Sequence, residues 1–155
     1  MKLKSLLALC VGVLFVFPGD SQTMSAPDSK RTEDVCEVAL RYFFAHDGPQ
    51  GAKAICISTN MPLPLNFIDR FASNNPRVAW SIECTSDQWS RTKYVKTNEL
   101  AVVIKITGVR WINSKEAEVK GGSVGGDFVR LPITVKIRER DGRWFVEQDK
   151  NGGLS

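Results

Sequence analysis

The apolar positions of this chain follow three different periods, and each predicts a different kind of element. Residues 6–17 (LLALCVGVLFVF) are an unbroken apolar run behind Lys2 and Lys4. Further on the spacing changes to threes and fours. Cys36, Ala39, Leu40 and Phe43 fall on one helix face, which Val35, Tyr42 and Phe44 broaden. Thr32 is the expected N-cap, with Glu33 and Asp34 in the first turn, where the helix dipole favours anions. His46-Asp47-Gly48-Pro49 should end the helix. A short strand is expected at 52–58, and Met61-Pro62-Leu63-Pro64 blocks its extension. Leu65, Ile68 and Phe71 then resume helical spacing over 65–72.

From Arg77 the pattern is strand after strand, at 77–85, 100–112, 116–120, 128–138 and 143–148. The fourth alternates Val129, Leu131, Ile133, Val135 and Ile137 with polar residues, the mark of a strand with one face on the core and one in water. Asp141-Gly142 is a strong hairpin signal, and Asn113-Ser114-Lys115 makes a second turn. The glycine-rich stretch 121–126 reads as a flexible hairpin connection or bulge. A phosphate cradle would lead from a strand into a helix and carry Lys-Ser/Thr, and neither follows here. Helices first and an antiparallel meander afterwards predict an α+β domain, with both helices packed on one face of a mainly antiparallel sheet.

The first apolar run changes what belongs to that domain. A short positive start, an apolar stretch too short for the ~20 residues of a membrane span, and small residues at Gly19 and Ser21 are the layout of a secretory signal peptide. Cleavage is expected after Ser21, which discards Cys10. Leu9 in front of Cys10 argues against a lipoprotein, and an uncleaved anchor is the weaker alternative. The resulting organisation is signal peptide 1–21, flexible linker 22–31, a single domain 32–150 and a disordered tail 151–155. The chain of 155 residues is 43% hydrophobic and 25% charged, an ordinary globular balance. Loss of Lys2, Lys4 and Asp20 lowers the net charge from +4 to +3. Its Lys and Arg are interspersed with Asp and Glu, as in KEAEVK and KIRERDGR, so no nucleic-acid stripe is expected. No membrane span is expected after cleavage.

Export leaves Cys36, Cys56 and Cys84, an odd number in an oxidising compartment. Cys56 and Cys84 lie in extended segments that can bring their Cα atoms within the ~7 Å a disulfide needs, whereas Cys36 lies on the apolar side of the helix. A Cys56–Cys84 bond is therefore expected, closing a loop of about 27 residues worth roughly 3 kcal/mol. Cys36 reads as a small buried hydrophobe. His46 is the only histidine, so metal ligation is not expected. A Ser-His-Asp triad would need His46 as base, and no nucleophile motif points to it. No cofactor and no catalytic residue is expected.

The helix DVCEVALRYFF, the strand AICIS and the terminal hairpin VRLPITVKIRERDGRWFVEQ resemble the cystatin-like and nuclear-transport-factor-two-like superfold. More narrowly, ALRYFFAH, CIS, PLPLNFIDRFASNNPRV and SIEC look like a group of small exported bacterial proteins that carries no assigned activity. The resemblance implies a curved sheet around a long N-terminal helix. Related enzymes use acidic, tyrosine or histidine side chains between helix and sheet, but no enzyme motif matches here, so no catalytic position carries over. Tyr42, His46, Trp80 and Trp144 are the candidate lining of such a pocket. Asp87-Gln88-Trp89 and Trp111 are candidate exposed anchors for a partner. Two functions follow as expectations. The first is an exported noncatalytic binding or interaction module for an unknown protein or envelope component, with a homodimer as one form. The alternative is a small-ligand enzyme or carrier using a cavity between helix 32–46 and the sheet.

Overall fold

A computed structural model describes residues 28–46, 51–86, 91–124 and 132–149. Helix α1 spans Ser29–His46 and buries Val35, Cys36, Ala39, Leu40 and Phe43, the stripe that the spacing predicts. It starts earlier than expected. Asp28 is the cap: its Oδ1 accepts the Lys30 N–H at 3.1 Å and its carbonyl accepts the Thr32 N–H at 3.1 Å. Thr32 therefore lies within the helix, as do Ser29 to Arg31 of the expected linker. Glu33 and Asp34 sit past the first turn, where they meet a partner of their own.

Strand β1 (Ala54–Thr59) is followed by a 3₁₀ helix, Leu65–Phe71, that buries Phe67 and Phe71. Next come β2 (Arg77–Trp80), a 3₁₀ turn at Ser81–Glu83, β3 (Cys84–Ser86) and β4 (Thr92–Tyr94). The meander β5 (Glu99–Asn113), β6 (Glu116–Val124), β7 (Ile133–Arg140) and β8 (Arg143–Asp149) completes the domain. The sheet runs β2-β1-β5-β6-β7-β8, with β4 also paired to β5 and β3 to β4. Strand β1 is parallel to β2 and β5, and the other pairs are antiparallel. The result is an α+β fold in which two helices pack on a curled, mainly antiparallel sheet. Register shifts between Ile106 and Gly108 and between Trp111 and Asn113 lie in long β5, where bulges increase bending and twist.

One core lies between α1 and the sheet, where Leu40 and Phe43 meet Ile55, Ile57, Ile104, Ile106, Val119, Val135 and Ile137. Alternation sends Ala54, Cys56, Ala79 and Ala101 to the other face, where they form a smaller core with Tyr94. The expected continuous strand 77–85 breaks after Trp80 because the chain turns there and brings Cys84 to this back face. Cys84 is bonded to Cys56, with the Cα atoms 6.5 Å apart. The Val95 N–H donates to the Glu83 carbonyl at 2.9 Å and extends the same attachment.

The Asp141-Gly142 turn has positive φ at both residues, 52° and 72°, as a two-residue hairpin between right-twisted strands requires. The glycine stretch departs from expectation. Gly121 and Gly122 belong to β6, paired with Ile106 and Lys105, and are not a loose connection. Packing explains it: a Cβ on Gly121 would stand 2.7 Å from Phe43 Cε2 and 2.5 Å from the Lys105 carbonyl oxygen. Gly125, Gly126, the start of the expected strand at 128–131, the signal peptide and the tail 151–155 lie outside the described residues.

Candidate functional site

The four residues expected to line one pocket occupy three places. Tyr42 and His46 share the C-terminal end of α1, with rings stacked at 3.9 Å. His46 Nδ1 is 2.9 Å from the Tyr42 carbonyl oxygen. A carbonyl only accepts, so Nδ1 carries the proton and donates, and the ring caps its own helix. Trp80 lies on β2, against Phe67, with its Nε1–H donated to the Leu65 carbonyl at 3.0 Å. Trp144 lies on β8, at the opposite end of the strand order. There it meets Trp111 edge to face at 5.6 Å, and the Arg31 guanidinium lies 5.3 Å and 5.6 Å from the two ring centres. Trp111 is thus half-buried under an arginine, not an exposed anchor. Asp87-Gln88-Trp89 lies outside the described residues.

Reactive groups are likewise committed to structure. Cys36 is fully buried, and burial pushes its thiol up to about 12, with Glu33 adding to the effect. A thiol so protonated is a poor nucleophile. Among the described residues, no group of three or more His, Cys, Asp or Glu side chains is set to hold a metal ion. Glu33, Asp34 and Glu37 do converge, but on Arg70, whose guanidinium hydrogen-bonds them at 3.0, 2.8 and 2.8 Å. Burial works against the charge of Arg70, and the Asp34 and Glu37 hydrogen bonds outweigh it, so its pKa is raised. Arg41 extends the clamp from Glu37 to the Arg70 carbonyl. The sequence reading missed this network. Its signal was acidic residues at Glu33 and Glu37, one helical turn apart, opposite an arginine in the second helix.

The outer face of the meander is different. Pairing aligns Arg110 with Glu118, Glu118 with Lys136, Glu116 with Arg138, and Arg140 with Arg143, and side chains at paired positions share a face. The face that turns away from α1 thus carries Lys105, Arg110, Lys120, Lys136, Arg138, Arg140 and Arg143 against Glu99, Glu116, Glu118 and Glu147. Two of the carboxylates lie deepest, while Lys136 and Glu147 sit at similar depth, 23% and 25% exposed. The side chains of Arg110 and Arg140 are 67% and 65% exposed, and those of Glu118 and Glu116 only 10% and 11%. Glu147 accepts from Arg138 at 2.6 Å and from Arg140 at 3.2 Å. Phe145, 49% exposed and paired opposite Arg138, stands among these charges. Glu116 and Glu118 are thus sunk between strands, and Arg110, Arg138 and Arg140 stand higher. Helix α1 packs on the opposite face, and on this one β4 places Tyr94 against Ala101 near the start of β5.

The Lys136–Glu116 pair gives this face a pH response. The hydrogen bond from Lys136 lowers the pKa of Glu116 against the opposing effect of burial, with Arg138 helping. A carboxylate lowered by folding stabilises the native state above its ordinary range, and that contribution disappears as pH falls through its lowered value. Glu116→Gln is therefore expected to be less stable than the wild type at neutral pH, with the gap closing below about pH 4.5. Urea midpoints of both proteins across that range check this. A gap that stays constant down to about pH 3 contradicts it.

Comparison with known proteins finds no matching family, no matching curated protein and no matching solved structure.

Proposed function

We propose that this chain is an exported, noncatalytic binding module that engages a component of the cell envelope through the outer face of β5–β8. One observation carries the reading: cations gather on the sheet face opposite α1, while Cys36 and His46, the natural nucleophile and base, are engaged in the fold. Export is supported by the Lys2/Lys4 start and apolar run, and it is compatible with the Cys56–Cys84 bond. No described helix is long and apolar enough to cross a membrane. The curled sheet and long first helix are also compatible with the cystatin-like and nuclear-transport-factor-two-like superfold that the sequence resembles.

Sedimentation with washed envelope fragments tests this function. The wild-type protein should co-sediment, and Arg140→Glu/Arg143→Glu should remain in the supernatant. If both stay soluble while the purified protein turns over a small substrate, the module reading fails.

A further inference from the structure

We infer that the outer face of β5–β8 docks on an anionic lipid surface, an inference that rests on the binding role proposed for that face. Charge is the first argument. Among the described residues seven cations and four carboxylates share the face, and two of the carboxylates, Glu116 and Glu118, are buried. An approaching surface therefore meets guanidinium and ammonium groups first. Glu116 holds Lys136 and Arg138 in place from beneath and presents little negative charge outward. The sequence conceals this arrangement, because its cations are interleaved with acidic residues along the chain. Antiparallel pairing at alternate positions brings them together.

Shape is the second argument. The cations spread over four adjacent strands, about 14 Å across at ordinary strand spacing. Arg140 and Arg143 flank the β7–β8 turn, Arg110 lies across on β5, and Lys120 stands nearer the far end of β6. A broad array of separate cations matches many anions lying in one plane. An acidic peptide orders its backbone in a groove or along an open strand edge, and of these cations only Arg143 lies on the edge strand β8, while the others spread across the sheet. Arginine also suits phosphate, since its planar fork makes paired hydrogen bonds to phosphate oxygens. Exposed Phe145 is the third argument. Pairing sets it opposite Arg138, with Arg143 two residues earlier on the same face. An aromatic ring flanked by Arg138 and Arg143 can enter the headgroup layer while the charges remain at phosphate level.

The test is flotation of the chain lacking residues 1–21 with two sets of vesicles. One is phosphatidylcholine alone, and the other contains about one third phosphatidylglycerol, whose anionic charge attracts basic surface residues. Binding is expected only to the second set. It should fall at least tenfold when salt rises from about 0.1 M to about 1 M, which shortens the screening length from about 10 Å to about 3 Å. Arg140→Glu/Arg143→Glu should weaken binding at least tenfold. Lys30→Glu/Lys53→Glu makes the same net charge change at exposed positions off this face and should leave binding within about twofold. Circular dichroism of both variants guards against misfolding. Equal losses in the two variants would mean that net charge alone acts, which overturns the inference. If vesicles fail to bind while envelope fragments still retain the wild type and lose Arg140→Glu/Arg143→Glu, the lipid inference is overturned and the partner is a protein on the same face. If neither vesicles nor envelope fragments bind, the binding role falls with it.

Discussion

Cys56→Ala/Cys84→Ala is expected to lower the unfolding free energy by roughly 3–4 kcal/mol, the largest effect of any change described for this domain. The bond joins residues separated by 28 positions, and a loop of that size restricts the unfolded chain by about this amount in the chain-entropy account. Its position adds a local effect. Cys56 belongs to the small core behind the sheet, where Ala54, Ala79 and Ala101 leave room for the ring of Tyr94. The segment that carries Tyr94 is held from its start by Cys84 and from its far side by Glu83, whose carbonyl accepts the Val95 N–H and whose carboxylate pairs with Lys96. Three-residue strands such as β3 and β4 make few ladder bonds, so without the covalent tie they should open before the rest of the sheet. Urea unfolding measures the global loss, and amide exchange over residues 84–95 measures the local one. A loss under about 1 kcal/mol with unchanged exchange would show that the back face holds itself. Thiol titration is the companion measurement. In the chain without residues 1–21, denaturant should reveal one thiol, Cys36, and native buffer should reveal none, because Cys36 is completely buried. Three thiols in denaturant would exclude the bond.

The disulfide was legible because Cys56 and Cys84 stand in short extended segments while Cys36 keeps step with Ala39, Leu40 and Phe43. Local periodicity carried that much. It also carried the Ile133, Val135, Ile137 face and the Asp141-Gly142 turn, because each depends on neighbours within a few residues. Arg70 reaches Glu33 over 37 positions, and nothing near Arg70 announces it. The same limit explains the candidate pocket. An aromatic residue at a strand position reveals which face it takes, but not which edge of the sheet its strand will occupy, and Trp80 and Trp144 belong to strands at opposite ends of the order. The cationic face was missed for the related reason that net charge along a sequence says little about charge across paired strands. Thr32 looked like a cap since threonine before acidic residues is a good start signal, yet Asp28 offered an equally good acceptor earlier.

Gly121→Ala is expected to destabilise the domain by about 1–3 kcal/mol, although alanine is ordinarily the better residue in a strand. Removing a strand glycine should restrict the unfolded chain and gain roughly 0.5–1 kcal/mol. Here the new Cβ would stand 2.5 Å from the Lys105 carbonyl oxygen and 2.7 Å from Phe43 Cε2. One obstacle is backbone held in the β5–β6 ladder, and the other is a ring that is fully buried beneath α1. Neither can move without disturbing the core between helix and sheet, so steric cost outweighs the entropic gain. Gly108 supplies the contrast. It lies in neighbouring β5 beside a register shift, and a Cβ there meets nothing within 4 Å. Gly108→Ala should therefore be neutral or slightly stabilising. Phe43→Leu removes the ring atoms that crowd Gly121 but not the Lys105 carbonyl. Gly121→Ala should thus cost less in the Phe43→Leu background and still cost something, a coupling that a double-mutant cycle resolves. Equal urea midpoints for Gly121→Ala and Gly108→Ala would mean that β6 can shift freely against α1. That outcome would remove the reason for a glycine where the Phe43 ring meets β6.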